Sequence, residues 1–434
     1  MTDNTAEALA PIVNRDRIKA LDVVRGFALL GIFLMNVEFF SRPLGDLSAE
    51  GIDPSLHGVH WLADALVYFF VQSKFWTLFS ILFGMGFAVM IDRARRAGRS
   101  FLPTYLRRSL ALLAIGCAHA LLIWSGDILV SYALAAMVML LARQLRRWLF
   151  RMVGECDPQP LSARTLAICG AGLFSSVLLL VLVSGSLNSL TTGLPRDPAR
   201  VAEEVSARAD ERAERAIAVH AYSVGTYQDA VRQRVVDTNE QLDDLPLFLP
   251  LLLGAFLIGA ALIRSGRLAD PARHAQWFRR GRNFGLPVGF ALMALSTALG
   301  TAPPNGRFGL GPAIQMVTYL LAGLVLALAY GATLVTLLNG WCGRWLGAWL
   351  APAGRMALSN YLMQSLIGTL LFYSYGLGLW GKVGRAWQVL LVLSVYSLQL
   401  GISRWWLARF NYGPMEWLWR AITYWQLPAM RRLQ

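Results

Sequence analysis

Charge is what this sequence has least of. Only 15% of its 434 residues are Asp, Glu, Lys or Arg, where a soluble domain carries about a quarter. Acidic residues are the scarcer sign, 26 against 40 basic, for a formal net charge of +14. That shortage, with 56% hydrophobic residues, 15 Trp and a mean hydropathy of +0.47, excludes an ordinary soluble domain. The basic excess does not point to nucleic acid. Its arginines cluster in short stretches beside apolar runs, with no recognition motif, and positive-inside loops of a membrane protein account for them.

Cysteine and histidine are also few. Cys117, Cys156, Cys169 and Cys342 have spacings that fit neither a zinc site nor a disulfide framework, so buried or reduced thiols are expected. The five histidines include no pair at metal-ligand spacing, so no metal is expected. A phosphate-binding Gly-rich loop with its Lys, a Gly-x-Ser-x-Gly elbow and a haem motif are all missing. ATP hydrolysis by this chain is therefore not expected. Residues 1–20 lack a signal-peptide layout, so the first apolar run is expected to stay as an anchor.

Long apolar runs are what the chain has. A membrane-spanning helix needs about 20 apolar residues. The candidates are Leu21–Phe40, Trp61–Ile91, Leu106–Trp124, Ile128–Ala142, Leu166–Leu187, Leu247–Ile263, Phe284–Gly300, Ile314–Leu338, Met356–Tyr373 and Val389–Trp406. Trp61–Ile91 would be about 46 Å long as one helix, too long for a simple crossing. Gln72-Ser73-Lys74 interrupts it, so a half-length or interfacial helix followed by a crossing from Phe75 to Ile91 is expected. With the N-terminus in the cytoplasm, ten crossings leave 27 Lys and Arg in inner segments and 11 in outer ones. Most of the 11 lie in one long loop, and long loops translocate largely regardless of charge.

The expected architecture is an all-α polytopic membrane protein with about ten transmembrane helices and both termini inside. It divides into a cytoplasmic tail (1–20), a first membrane bundle (21–187), an extracytoplasmic loop (188–246), a second bundle (247–406) and an interfacial tail (407–434). The loop holds eleven acidic and seven basic residues in helix-forming composition, as a solvated subdomain would. Within it, Tyr222 to Arg234 reads as a turn followed by a helix, with Tyr227 and Arg234 on a candidate lid for the outer mouth. The tail segment from Glu416 through Trp419-Arg420 suits an interfacial helix.

Polar side chains inside apolar spans are costly and mark function or pairing. The first span carries Asp22, Arg25 and Asn36. At about 100° per residue, Arg25 and Asn36 fall within about 20° of one face, and Asp22 lies one turn before Arg25. Glu38 lies off that face, in reach of the interface. Asp22 and Arg25 read either as a structural ion pair or as a charge aimed at an anionic group such as a phosphate. His119 lies within the third span, and Asp127 starts the return span after Ser125-Gly126. A tight hairpin there would bring carboxylate to imidazole, as in a general base or in a structural histidine. Lys74, at the break, reads as a partner for Asp22, Asp64 or Asp127, or as a substrate contact. Gly84 and Gly86 allow close helix approach. Asn360 and Gln364 share one helix face behind Arg355, for interhelical hydrogen bonds or a polar cofactor pocket. His57 and His60 precede the second apolar run at the outer side.

These segments resemble the YeiB family of bacterial inner-membrane proteins. The matching residues are Leu21-Asp22-Val-Val-Arg25-Gly26 with Asn36; Lys74-Phe75 with Leu78-Phe79-Ser80; His119 with Trp124 and Gly126-Asp127; Gly354-Arg355 with Asn360 and Gln364; and Gly413-Pro414 with Glu416-Trp417. The likeness runs from about Arg17 to Tyr424 and implies the multi-pass fold and an inner-membrane location. More distantly, Asp22-Val-Val-Arg25-Gly26 is similar to the start of the transmembrane acyltransferases. That likeness implies transfer of an acyl group from a cytoplasmic acyl-CoA-like donor to a cell-envelope glycan or lipid. Many of those proteins have His eleven residues after the Arg, and Asn36 stands there. The heparan-glucosaminide acetyltransferase branch is similar in having Asn, with a catalytic His in the following loop, a role open to His57 or His60. His119 with Asp127 is the preferred base, with Asn36 on the oxyanion and Arg25, Arg355 and Lys74 on the donor. A transporter or lipid flippase without covalent chemistry, and a structural or regulatory membrane protein, are the alternatives. Membrane lipids are the expected partners in all three.

Overall fold

The computed structural model describes residues 19–43, 51–98, 100–153, 159–191, 198–301, 308–338 and 340–432. The tail up to residue 18 and Cys156 lie outside that set. The helices are α1 (Lys19–Asn36), α2 (Gly58–Phe70), α3 (Lys74–Arg96), α4 (Leu102–Leu122), α5 (Leu129–Met152), α6 (Ala163–Thr191), α7 (Pro198–Ser223) and α8 (Tyr227–Asp243). They continue as α9 (Leu245–Arg264), α10 (Ala275–Ala298), α11 (Leu310–Leu337), α12 (Trp341–Arg355), α13 (Ala357–Phe372), α14 (Arg385–Arg409) and α15 (Pro414–Tyr424). Among the described residues the only pairing of β type is one isolated bridge, Phe410 to Arg431. The protein is an all-α, multi-pass membrane fold.

Among the described residues, eight helical stretches are long and apolar enough to cross a membrane: α1 with its 3-10 extension, α2 with α3, and α4, α5, α6, α9, α11 and α14. The other two expected spans are also helices. α13 has only 16 residues, and the first half of α10 carries Arg279, Arg280 and Arg282. The long second run breaks where Gln72-Ser73-Lys74 predicts. Ser73 sits at φ 64°, in the left-handed region, and α3 starts anew at Lys74. Arg93, Arg95 and Arg96 close α3, Arg151 closes α5 and Arg264 closes α9, so one end of the bundle is basic.

Glycines set the closest helix crossings. α9 packs between α3 and α6. A Cβ on Gly84 would collide with the Phe256 carbonyl, and one on Gly259 with the Ile81 carbonyl, so the α3 and α9 backbones touch. Without a hydrophobic drive between helices in lipid, such van der Waals contact is what holds them. Gly86, by contrast, faces nothing within 4 Å and takes no part. The segment between the eighth and ninth expected spans forms α12, which a reading of Arg344 and Arg355 as loop charges misses. It lies against the first turns of α1, with Gly354 on the Asp22 carbonyl and Gly26 on the Leu350 carbonyl. Trp341 and Trp345 are exposed on it, as suits an interface. The loop after α6 is the helix pair α7–α8, and Thr226 with Asp229 makes a capping box at the start of α8.

Candidate functional site

The α4–α5 turn holds the best-formed polar pair in the bundle. α4 ends because the amides of Ile123 and Trp124 both bond back to the His119 carbonyl, each at 2.9 Å. The chain then turns through Ser125-Gly126. One oxygen of Asp127 meets His119 Nδ1 at 2.8 Å, and the other accepts the Val130 amide at 2.7 Å, capping α5. Both side chains are only 1% exposed. A Cβ on Gly116, one turn before His119, would press on Asp127 and the Val130 amide, and one on Gly126 would enter the Trp124 ring. The spacing His119 to Asp127 therefore does what the hairpin predicts. The bond to the carboxylate occupies Nδ1 and leaves Nε2 as the ring's second nitrogen. Nε2 is buried and has no hydrogen-bond partner among the described residues. The Tyr361 ring of α13 lies 5.2 Å from the imidazole and Trp124 lies 6.4 Å away.

The α7–α8 pair clamps onto this turn. Tyr227 Oη and Arg234 Nη1 both donate to the Leu122 carbonyl, at 2.7 and 2.9 Å, which satisfies an orphan acceptor at the end of α4. Arg234 is fully buried, donates its other nitrogen to Tyr375 Oη at 2.5 Å and lies over the rings of Tyr227, Tyr373 and Tyr375. Asp237 accepts from Ser125 Oγ at 2.7 Å and from Tyr222 Oη at 2.5 Å. Burial, with Tyr373 and Asp237 beside it, pushes the Tyr222 phenol well up, so it keeps the proton it donates. Tyr227 and Arg234 are thus packed against the end of α4 beside the His119–Asp127 turn.

At the start of α1, Asp22 and Arg25 form a pair. Arg25 Nη1 lies 2.9 Å from Asp22 and 3.4 Å from the Gly354 carbonyl. Arg355 donates to the Asn411 carbonyl at 3.3 Å. Arg108 of α4 stacks on Trp419 at 3.6 Å and lies within electrostatic range of Arg25 and Arg420. Glu416 accepts the Leu358 and Ser359 amides and the Ser359 hydroxyl, at 2.7, 3.1 and 2.6 Å, so it caps the start of α13. Ser359 Oγ in turn accepts the Met415 amide of α15 at 3.0 Å. Burial pushes the Glu416 carboxyl above its usual range against those hydrogen bonds. A Cβ on Gly413 would press on the Glu416 carboxylate, so any side chain there must displace this cap.

Asn36 lies at the other end of α1, 9% exposed, and caps the following turn without a side-chain hydrogen bond. Phe40, four residues on, packs on Trp124 with centroids 4.4 Å apart, which joins this end of α1 to the His119 turn. Asn360 and Gln364 face α14: Asn360 donates to Ser403 Oγ at 3.0 Å and Gln364 to Gln399 at 2.9 Å. The two rungs descend one helix as they climb the other, the mark of an antiparallel pair, and they favour interhelical bonding over a cofactor pocket.

Three expectations need correction. Lys74 does not take Asp64 or Asp127, which are held by Arg385 and His119, and Asp22 pairs with Arg25. Lys74, fully buried, donates to the Tyr68 carbonyl and to Met293 Sδ, both at 3.1 Å, under the Tyr319 ring. Its position beside the left-handed Ser73 points it back at α2. Glu38 does not reach the interface. It is buried against Arg385 at 3.1 Å and also pairs with Arg42. His60 is not a free loop histidine, since its Nδ1 accepts the Ala386 amide at 3.2 Å and caps α14. His57 is exposed at the start of α2.

The cluster that sequence reasoning missed centres on Arg385, 3% exposed, which binds Asp64 at 2.9 Å, Glu38 and Gln388. Asp64 inside an apolar run was its one local signal. Among the described residues no three His, Cys, Asp or Glu side chains converge as a metal site.

A family described as "Protein of unknown function (DUF418)" matches residues 262–426, from the end of α9 through α15. Along its whole length the chain is similar to the uncharacterized protein YxaH of Bacillus subtilis (strain 168), 34% identical over 96% of this chain and 98% of that protein. It is similar to the uncharacterized protein YeiB of Escherichia coli (strain K12), 30% identical over 94% and 96%. An uncharacterized 39.9 kDa protein in the amylase 3' region of Bacillus acidopullulyticus is 27% identical over 95% and 96%. With this identity sustained from end to end, and with the DUF418 match over its last six helices, the chain belongs to the YeiB-like family of multi-pass membrane proteins.

Proposed function

We propose that the protein is an acyltransferase of the bacterial inner membrane, moving an acyl group from a cytoplasmic acyl-CoA-like donor to a hydroxyl of a cell-envelope glycan or lipid. One observation carries the reading: a buried His119 whose Nδ1 is held by Asp127 and whose Nε2 has no hydrogen-bond partner among the described residues. Nε2 takes the proton of the acceptor hydroxyl, whose oxygen attacks the acyl carbonyl carbon. The C–S bond then breaks, and the leaving thiolate takes the proton back from Nε2. The Asn36 amide is the candidate donor to the developing oxyanion. Arg25 and Arg355, at the basic end with Arg108 and Arg420, are the candidate grip on the donor's phosphates. Lys74, Asn360 and Gln364 hold helices in place around this route. For an acceptor to reach Nε2, the α7–α8 clamp on Leu122 must open.

Inverted inner-membrane vesicles from cells overproducing the chain test this. Radiolabelled acyl-CoA is added outside, at the cytoplasmic face. Label is expected on lumenal glycan or lipid with the wild type and not with His119→Gln. Label transfer that is equal for both would refute the reading, as would transport of an unmodified lipid with no acyl product.

A further inference from the structure

A second site lies away from the His119 turn, at the basic end of the bundle. A cavity of about 790 Å³ runs between α1, α3, α6, α9, α10 and α11, within the range of about 300–1,000 Å³ that suits a ligand. Its walls are aliphatic, built from residues such as Leu21, Ile81, Leu82, Ile258 and Val335. Only Arg164, Arg267, Ser265 and the Trp277 indole bring polar groups to it, and no acidic residue lines it. The Ser265 hydroxyl is already bonded to the Leu262 carbonyl at 2.7 Å. Water therefore finds too few partners inside to be held, and the fitting occupant is apolar.

The rim decides what kind of apolar molecule. Arg164 opens α6 and Arg267 follows α9, so two arginines line the cavity from different elements. Neither forms an ion pair with a described residue, and Arg267 lies 4.8 Å over the Trp277 ring. Trp277 and Phe284 are exposed on the flank of the bundle, 38% and 70%. Trp on that flank suits the headgroup level. An aliphatic cavity lined by two arginines matches a molecule with acyl chains and one anionic headgroup.

We propose that this cavity binds an anionic glycerophospholipid of the inner leaflet, its acyl chain between α3, α9 and α11 and its phosphate between Arg164 and Arg267. The site is separate from His119, and the proposal does not depend on the acyl-transfer reading.

The test uses the full chain purified in detergent and reconstituted in nanodiscs of equal phosphatidylglycerol and phosphatidylcholine. The protein is then re-extracted, and retained lipid is measured by mass spectrometry. Two arginines at a membrane surface correspond to roughly a 30-fold preference for the anionic lipid. Arg164→Gln with Arg267→Gln should abolish that preference while still retaining lipid. Ala167→Phe, which fills the cavity from its exposed wall, should remove retained lipid of both kinds at an unchanged melting temperature. Equal retention of both lipids by the wild type would overturn the proposal. So would undiminished phosphatidylglycerol in the well-folded Ala167→Phe protein, or a preference that survives loss of both arginines.

Discussion

The His119–Asp127 pair predicts a specific coupling. Asp127 serves two donors at once, His119 Nδ1 through one oxygen and the Val130 amide through the other. An amide has only one acceptor oxygen, so Asp127→Asn that keeps the Val130 amide turns its NH₂ toward Nδ1, which accepts it only as the tautomer that leaves a buried Nε2–H without a partner. Loss of one buried hydrogen bond, with an unsatisfied group left behind, costs about 1–3 kcal/mol. His119→Ala strands the same carboxylate oxygen from the other side and removes ring contacts to Tyr361. It should cost about the same or somewhat more, through the cavity it leaves. Made together, the two changes remove the pair cleanly, and their sum should exceed the double mutant's cost by about 1–3 kcal/mol. Denaturant melts of the detergent-solubilised protein, followed by helical circular dichroism, give all four corners of the cycle. Additive costs within about 0.5 kcal/mol would refute the pairing as described.

Three further outcomes follow from other contacts. Arg385→Gln removes the ion-pair partner of buried Asp64 and leaves Glu38 only Arg42, and should destabilise by about 3–5 kcal/mol in the same melts. Arg234→Lys keeps the charge but loses the two-armed bond to Leu122 and Tyr375. Hydrogen exchange over 198–243 should quicken while α3 and α9 are unchanged. Glu416 gives a pH signature. Its folded carboxyl lies above the ordinary 4.5, so its share of stability is full below 4.5 and is lost as pH rises through the raised value. The stability gap between wild type and Glu416→Gln should therefore shrink as pH rises from 4.5, and a widening gap would contradict the assignment.

Local signals made much of this fold legible. The ten apolar runs are helices because their lengths suit a bilayer and their backbone groups must bond internally. The break at Gln72-Ser73-Lys74 was visible because three polar residues in an apolar run have no lipid-facing solution. The His119–Asp127 pair was visible because its members are only eight residues apart across a forced turn. What stayed hidden depends on which distant helices become neighbours. Arg385 and Asp64 are 321 residues apart, and the Arg234 bond to Leu122 spans 112. Glu416 reads locally as part of an amphipathic tail, yet it caps α13, 57 residues away. α12 read as loop because its arginines masked a helix made for α1. Charge alone suggests carboxylate partners for Lys74, and packing assigns Asp64 and Asp127 to Arg385 and His119.

The central claim is that Nε2 of His119 does the chemistry. Release of free thiol from acyl-CoA by the purified protein in phosphatidylglycerol nanodiscs, with an envelope lipid extract as acceptor, tests it most directly. Turnover is expected from the wild type, with a fall of about 10²–10⁴-fold in His119→Gln at unchanged helix content. Equal turnover by the two proteins, or none by a folded wild type with any acyl-CoA, would contradict it.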